Sequence, residues 1–103
     1  IRSKGVLTTK NITLGIKSTG TGSKGINNVG DVVLKNCCAT IIASGATHKS
    51  NGLDSRSRGI DTDGDLTLNG GVLQVKSYDE PLHLKGKLSF LNNAVYNGYQ
   101  IEE

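Results

Sequence analysis

Aromatic residues are scarce in this sequence, at 4%: Tyr78, Tyr96, Tyr99 and Phe90 are the whole complement. Base-stacking side chains are therefore few, and the formal charge of +3, from 12 basic and 9 acidic residues, is a mild excess with both signs interspersed. That combination argues against nucleic-acid binding. Proline occurs once, which excludes a Pro-rich disordered linker. No apolar run approaches the roughly 18 residues of a membrane-spanning helix, so no membrane insertion is expected. The only two cysteines, Cys37 and Cys38, are adjacent. Strand geometry sends neighbouring Cβ atoms to opposite faces, so the pair is not expected to bridge. No other Cys or His cluster supplies a zinc spacing. The chain starts at Ile1 without a signal segment and reads as a processed chain or a fragment, so that absence does not set its compartment.

What the chain does have is glycine, 14 residues in 103, about twice ordinary usage. Val, Ile, Leu and Thr stand between the glycines in short alternating runs. Apolar residues two apart with frequent turn residues predict strands, and no window supplies the three-and-four spacing of a helix. The length allows one domain at most, with a thin core.

The pattern recurs. A Gly-Ile-like start falls at Gly5-Val6, Gly25-Ile26, Gly59-Ile60 and Pro81-Leu82, at intervals of 20, 34 and 22 residues (25 − 5, 59 − 25 and 81 − 59). A period of 20–22 residues predicts a solenoid in which each repeat buries its apolar side against its neighbours. The long interval is accounted for by an inserted loop over 44–58, polar and rich in Gly and Ser, with Asp54 and His48 within it. Aligned on this period, Val6, Ile26, Ile60 and Leu82 share a column. So do Ile12, Val32, Leu66 and Leu88, and Leu14, Leu34, Leu68 and Phe90. Ala39, Leu73 and Val95 form a further column, with Ile41 and Val75 two residues on. Gly30, Gly64 and Gly86 fall at one turn, where a corner with positive φ is expected. Three short strands per coil predict an all-β, right-handed, single-stranded parallel β-helix of about four coils. It occupies residues 1–103 as one domain, or as a fragment of a longer one.

GINNVGDVVL from Gly25 and GIDTDGDLTLNGGVLQVKS from Gly59 resemble the repeats of bacterial cell-surface carbohydrate-binding β-helix proteins. The stretch KSNGLDSRSRGIDTDGD also looks like that family's join between long and short coils. The resemblance runs from about Gly22 to Leu91. It implies a secreted or surface-anchored protein with a pectate-lyase-like fold, bound calcium, and affinity for plant-type polysaccharide without cleavage.

The acidic turn Asp61-Thr62-Asp63-Gly64-Asp65 is the candidate metal site, completed by Asp31 one coil away. Calcium takes six to eight oxygen ligands, and three carboxylates with backbone carbonyls suit such a cation. An EF-hand is excluded, because loop position 12 counted from Asp61 is Val72 rather than a bidentate Glu. The competing reading of the same residues is a solvated turn, which Asp favours. Tyr78, Arg56 and Arg58 are the candidate carbohydrate contacts, with Tyr96 and Tyr99 assigned to covering the last coil. A lyase would draw its base from Arg56, Arg58 or Lys85 beside the acidic turn. No residue is singled out for that role, and no catalytic residue is assigned. His83, Asp79 and Glu80 read as exposed.

The expected function is non-catalytic binding of extracellular polysaccharide, assisted by calcium. The alternatives are a structural cell-surface or fibre component that self-associates by stacking, and a pectate-lyase-like enzyme fragment.

Overall fold

The computed structural model describes residues 1–50 and 52–101 of the chain; the side chains of His48 and Asp54 lie outside the described set. Among the described residues every element is a strand. The first repeat holds β1 (Arg2–Ser3), β2 (Leu7–Lys10) and β3 (Thr13–Ser18), and the second β4 (Lys24–Asn28) and β5 (Val32–Ala43). β6 (His48–Ser50) and β7 (Leu53–Ser55) follow, then β8 (Arg58–Thr62) and β9 (Leu66–Ser77). The last repeat is β10 (Leu82–Leu84), β11 (Leu88–Leu91) and β12 (Val95–Gln100). β1-β4-β8-β10 form a four-stranded sheet; β11-β9-β5-β2 form a larger one, which β3 and β12 join alongside β5 and β9. Both sheets are parallel throughout. The chain thus passes four times through the same two sheets. The insertion over 44–58 carries an antiparallel pairing of β6 and β7, so it contains strands where the sequence suggested only a loop.

Register corrects the alignment of the first repeat. Leu7 pairs with Val32, making the first interval 25 residues (32 − 7), and Leu14 pairs with Ala39. Leu7 therefore occupies the column expected for Ile12, and Leu14 moves one segment along. Arg2 pairs with Asn27, which places Ile1 rather than Val6 beside Ile26. At the other end Tyr96, not Val95, pairs with Leu73. Both slips arise because the terminal repeats spend a different number of residues at their corners. In the middle repeats the columns hold as read: Ile26 with Ile60, Val32 with Leu66, Leu34 with Leu68, Ala39 with Leu73, Ile41 with Val75. All ten side chains are buried, and they form the core together with Cys37. Burying each Val, Ile or Leu contributes about 1.5–3 kcal/mol. Cys37 faces in and Cys38 out, and both thiols are free.

The positive-φ corner is not where glycine alone suggested it. Asn11 (φ 55), Asn36 (φ 51), Gly70 (φ 70) and Asn92 (φ 53) are left-handed, and each directly follows the paired column Lys10, Lys35, Asn69 and Leu91. Asn tolerates this region better than other side chains, because its short amide can bond locally. The corner also shifts the side-chain alternation. In β5 the buried positions are Val32 and Leu34 before Asn36, then Cys37, Ala39, Ile41 and Ala43 after it. One left-handed residue keeps both halves of a bent strand facing the same core.

Gly30, Gly64 and Gly86 answer a different need, close approach between passes. A Cβ on Gly30 would lie 2.6 Å from the Gly5 carbonyl oxygen, and one on Gly86 2.6 Å from that of Gly64. Buried polar side chains bind this tight corner from inside. Asn28 Nδ2 donates to the carbonyls of Gly5 (3.0 Å) and Gly30 (2.7 Å), and Thr62 Oγ1 donates to Gly30 O at 2.6 Å.

Replacing Asn36 tests the left-handed corner. Asn36→Val is expected to lower unfolding free energy by about 1–2 kcal/mol, the cost of a left-handed β-branched residue. Asn36→Gly is expected to stay near wild type, both measured by urea denaturation.

Candidate functional site

β8 presents Arg58 and Asp61 on its outward side, because Gly59, Ile60 and Thr62 are buried. Arg58 Nη1 donates to Asp61 Oδ2 at 3.3 Å, and His83 Nδ1, in register with Asp61 on β10, lies 3.3 Å from Asp61 Oδ1. The same guanidinium faces Asp79: Arg58 Nε stands 3.5 Å from Asp79 Oδ2, while Arg56 Nη1 reaches Asp79 Oδ1 at 3.4 Å. Asp79, expected to be exposed, is 4% exposed. Its N–H donates to Ser57 O at 3.0 Å, and its carbonyl accepts the Ser77 hydroxyl. A carboxylate this deep needs compensating charge, which two arginines from the end of the insertion supply. The cluster therefore ties the base of the insertion to the turn after β9.

The candidate metal ligands are distributed along the corner rather than gathered. Asp61 is engaged by Arg58 and His83. Asp31 Oδ1 accepts the Asp65 N–H, and Asp65 Oδ1 accepts the Lys87 N–H, each at 2.8 Å. Asp31 does sit one pass from Asp65, as the alignment expected, but as a hydrogen-bond partner of its backbone. Asp63 is half-exposed and pairs with Lys85 at 3.4 Å. In the outer repeats the Asp31–Asp65 position is held by Lys87 and by Val6, the residue before Leu7, rather than by Asn11. Among the described residues no three His, Cys, Asp or Glu side chains are grouped as metal ligands. Two of the four aspartates already accept backbone N–H groups and a third is ion-paired at both oxygens, so the set does not form a calcium cage as it stands.

Of the candidate sugar contacts, Arg56 and Arg58 are brought together over Asp79, and Tyr78 is half-buried in the adjoining turn, its N–H donating to Ala43 O at 2.8 Å. The two arginines point their charge at carboxylates of their own chain.

A second site lies on the outward face of the large sheet, where β5, β9 and β12 run side by side. Thr40, Gln74 and Asn97 stand in register there, and next to them Ile42, Lys76 and Tyr99. These six residues line an open groove of about 430 Å³. A shallower depression continues from Thr40 and Gln74 to Cys38 and Val72. Adjacent strands lie ~4.8 Å apart, so the two amides and the threonine form a ladder of donors and acceptors at that pitch. Tyr99 is 69% exposed, whereas Tyr96, two strand faces away, turns inward and packs on the core. Burial pushes the Tyr96 phenol above its ordinary pKa. Only Tyr96 thus does the covering expected of both. The sequence signal for the groove was weak: polar residues at outward positions are what any strand shows.

Comparison with known proteins gives no match: no family model, curated protein or solved structure resembles this chain at a significant level.

The charge cluster makes a stability prediction. Asp79→Asn leaves Arg58, whose side chain is 16% exposed, without its buried counter-charge, and is expected to cost about 3 kcal/mol. Asp63→Asn removes a solvated pair and is expected to cost less than about 1 kcal/mol, both read by chemical denaturation.

Proposed function

We propose that this chain is a right-handed parallel β-helix of four coils that binds extracellular polysaccharide without cleaving it. The helical reading rests on four parallel passes through two sheets, and its hand on the strong preference of parallel crossovers. The observation that carries the binding function is the groove over β5, β9 and β12. It pairs an exposed Tyr99 ring, which can stack on a sugar face, with the amides of Gln74 and Asn97 and the Thr40 hydroxyl, which can read sugar hydroxyls in both directions. The groove replaces Tyr78, Arg56 and Arg58 as the proposed sugar contact, since both arginines are engaged by carboxylates. The non-catalytic part is supported by the cations a lyase would use: Arg56, Arg58 and Lys85 each stand in an ion pair. A surface or secreted location goes with this reading through the substrate alone. Calcium assistance would fall to the corner carboxylates of Asp63 and Asp65, away from the groove.

A glycan array run with and without chelator tests this. Retention of at least one polysaccharide is expected, with Tyr99→Ala or Gln74→Ala weakening it about tenfold or more and Arg56→Ala leaving it unchanged. Silence on every glycan, or binding indifferent to Tyr99 and Gln74, contradicts the proposal; loss on chelation alone adds calcium to it.

A further inference from the structure

The two ends of the stack are geometrically the same surface seen from opposite sides. β10, β11 and β12 pair on one side only, as do β1, β2 and β3. Leu88 and Leu7 are the two ends of one column, whose middle members are Val32 and Leu66. Asn92 and Asn11 are likewise the ends of the left-handed corner column, with φ values of 53 and 55. On the last pass the inward column is open: Leu88 is 37% and Phe90 50% exposed, against 0% and 2% for Leu66 and Leu68, their mates one pass earlier. Leu7, Leu14 and Ile16 of the first pass are half-buried and pack on the core from the other end.

The hydrogen-bond pattern fixes what would fit. Leu7 N–H donates to Asp31 O, Val32 N–H to Asp65 O, and Leu66 N–H to Lys87 O. Each amide bonds the residue before its column mate one pass later. By that rule Leu88 N–H requires a carbonyl in the position of Val6, and the alternation of a parallel ladder leaves Thr8 N–H facing outward to meet Leu88 O.

We propose that copies of this chain associate head to tail, the β10–β12 edge of one copy pairing in parallel with the β1–β3 edge of the next. Leu88 sits over Leu7 and Asn92 over Asn11. A second copy is the occupant because it offers three strands of matching direction, spacing and corner conformation at once. A single added strand would satisfy one segment and leave the others open. The contact is heterologous, so it propagates rather than closing as a symmetric dimer. One element is missing at the joint. Within the chain, Asp31 and Asp65 each accept the N–H of the column mate one pass on, whereas Lys87 offers the Val6 N–H of the next copy no acceptor.

Two edge variants test the arrangement by sedimentation velocity. Thr8→Pro removes the outward N–H of the first edge and Leu88→Pro that of the last, at edge positions where proline is tolerated. Wild type is expected to show concentration-dependent growth. Each variant alone is expected to be monomeric, and their equimolar mixture to give discrete heterodimers through the one intact pair of edges. Phe90→Asp, at a half-exposed position, replaces Leu88→Pro if circular dichroism shows the latter unfolded. Lys87→Asp supplies the missing carboxylate and is expected to tighten association about tenfold. A wild-type monomer at high concentration, a variant that dimerises by itself, a mixture that stays monomeric, or a Lys87→Asp chain no tighter than wild type each overturns the proposal. These outcomes do not depend on glycan binding.

Discussion

At one corner of every pass, the chain enters the left-handed region of backbone conformation, and the rest of the structure depends on that step. A strand alternates its side chains strictly, so a bend of ordinary extended residues would turn the second half's apolar set toward solvent. The residue at Asn11, Asn36, Gly70 and Asn92 absorbs one position of that alternation. Leu34 and Ala39 can then both face the core although they are five residues apart in sequence (39 − 34). The core needs no aromatic residues, because aliphatic side chains of similar size stack directly on one another from pass to pass.

That stacking also distributes burial unevenly. A side chain in the second or third repeat has a neighbour on both sides along the stack, and Ile26, Val32, Ile60 and Leu66 are fully buried as a result. The same column positions in the outer repeats keep one open side, which leaves Leu88 and Phe90 partly exposed. Polar side chains do their work at the corners. Asn28 and Thr62 fasten the tight glycine corner from within, and Asp79 with its two arginines anchors the end of the insertion. The outward face of the large sheet is left free of such duties, and the groove bearing Tyr99 lies there.

The all-β parallel architecture and the central columns were legible in the sequence because the second and third repeats share spacing from Ile26 and Ile60 onward. The first repeat was misregistered, since Gly5 looks like Gly25 although the structure stacks Gly5 on Gly30. A Gly-apolar pair is too short a pattern to separate those two choices. Gly30, Gly64 and Gly86 were correctly placed at a shared corner, but for the wrong reason: clearance between passes selects glycine there, and the conformational requirement falls on asparagine. The aspartates of the acidic turn were readable as a cluster in sequence, yet adjacency does not say where carboxylates point. Asp61 faces Arg58 and His83, while Asp65 accepts from backbone. Asp79 was missed because its burial comes from Ser57 stacking beneath it and from arginines 21 and 23 residues earlier (79 − 58 and 79 − 56), a conjunction that no local pattern carries.

The central claim, that inner passes are held from both sides by in-register parallel ladders, is tested most directly by amide hydrogen exchange resolved by residue. The slowest amides are predicted in β5 and β9, with Val32 and Leu66 among them, and β1, β10 and β11 exchanging markedly faster. Uniform protection across the four repeats, or stronger protection in the outer repeats than in β5 and β9 under monomeric conditions, would contradict it.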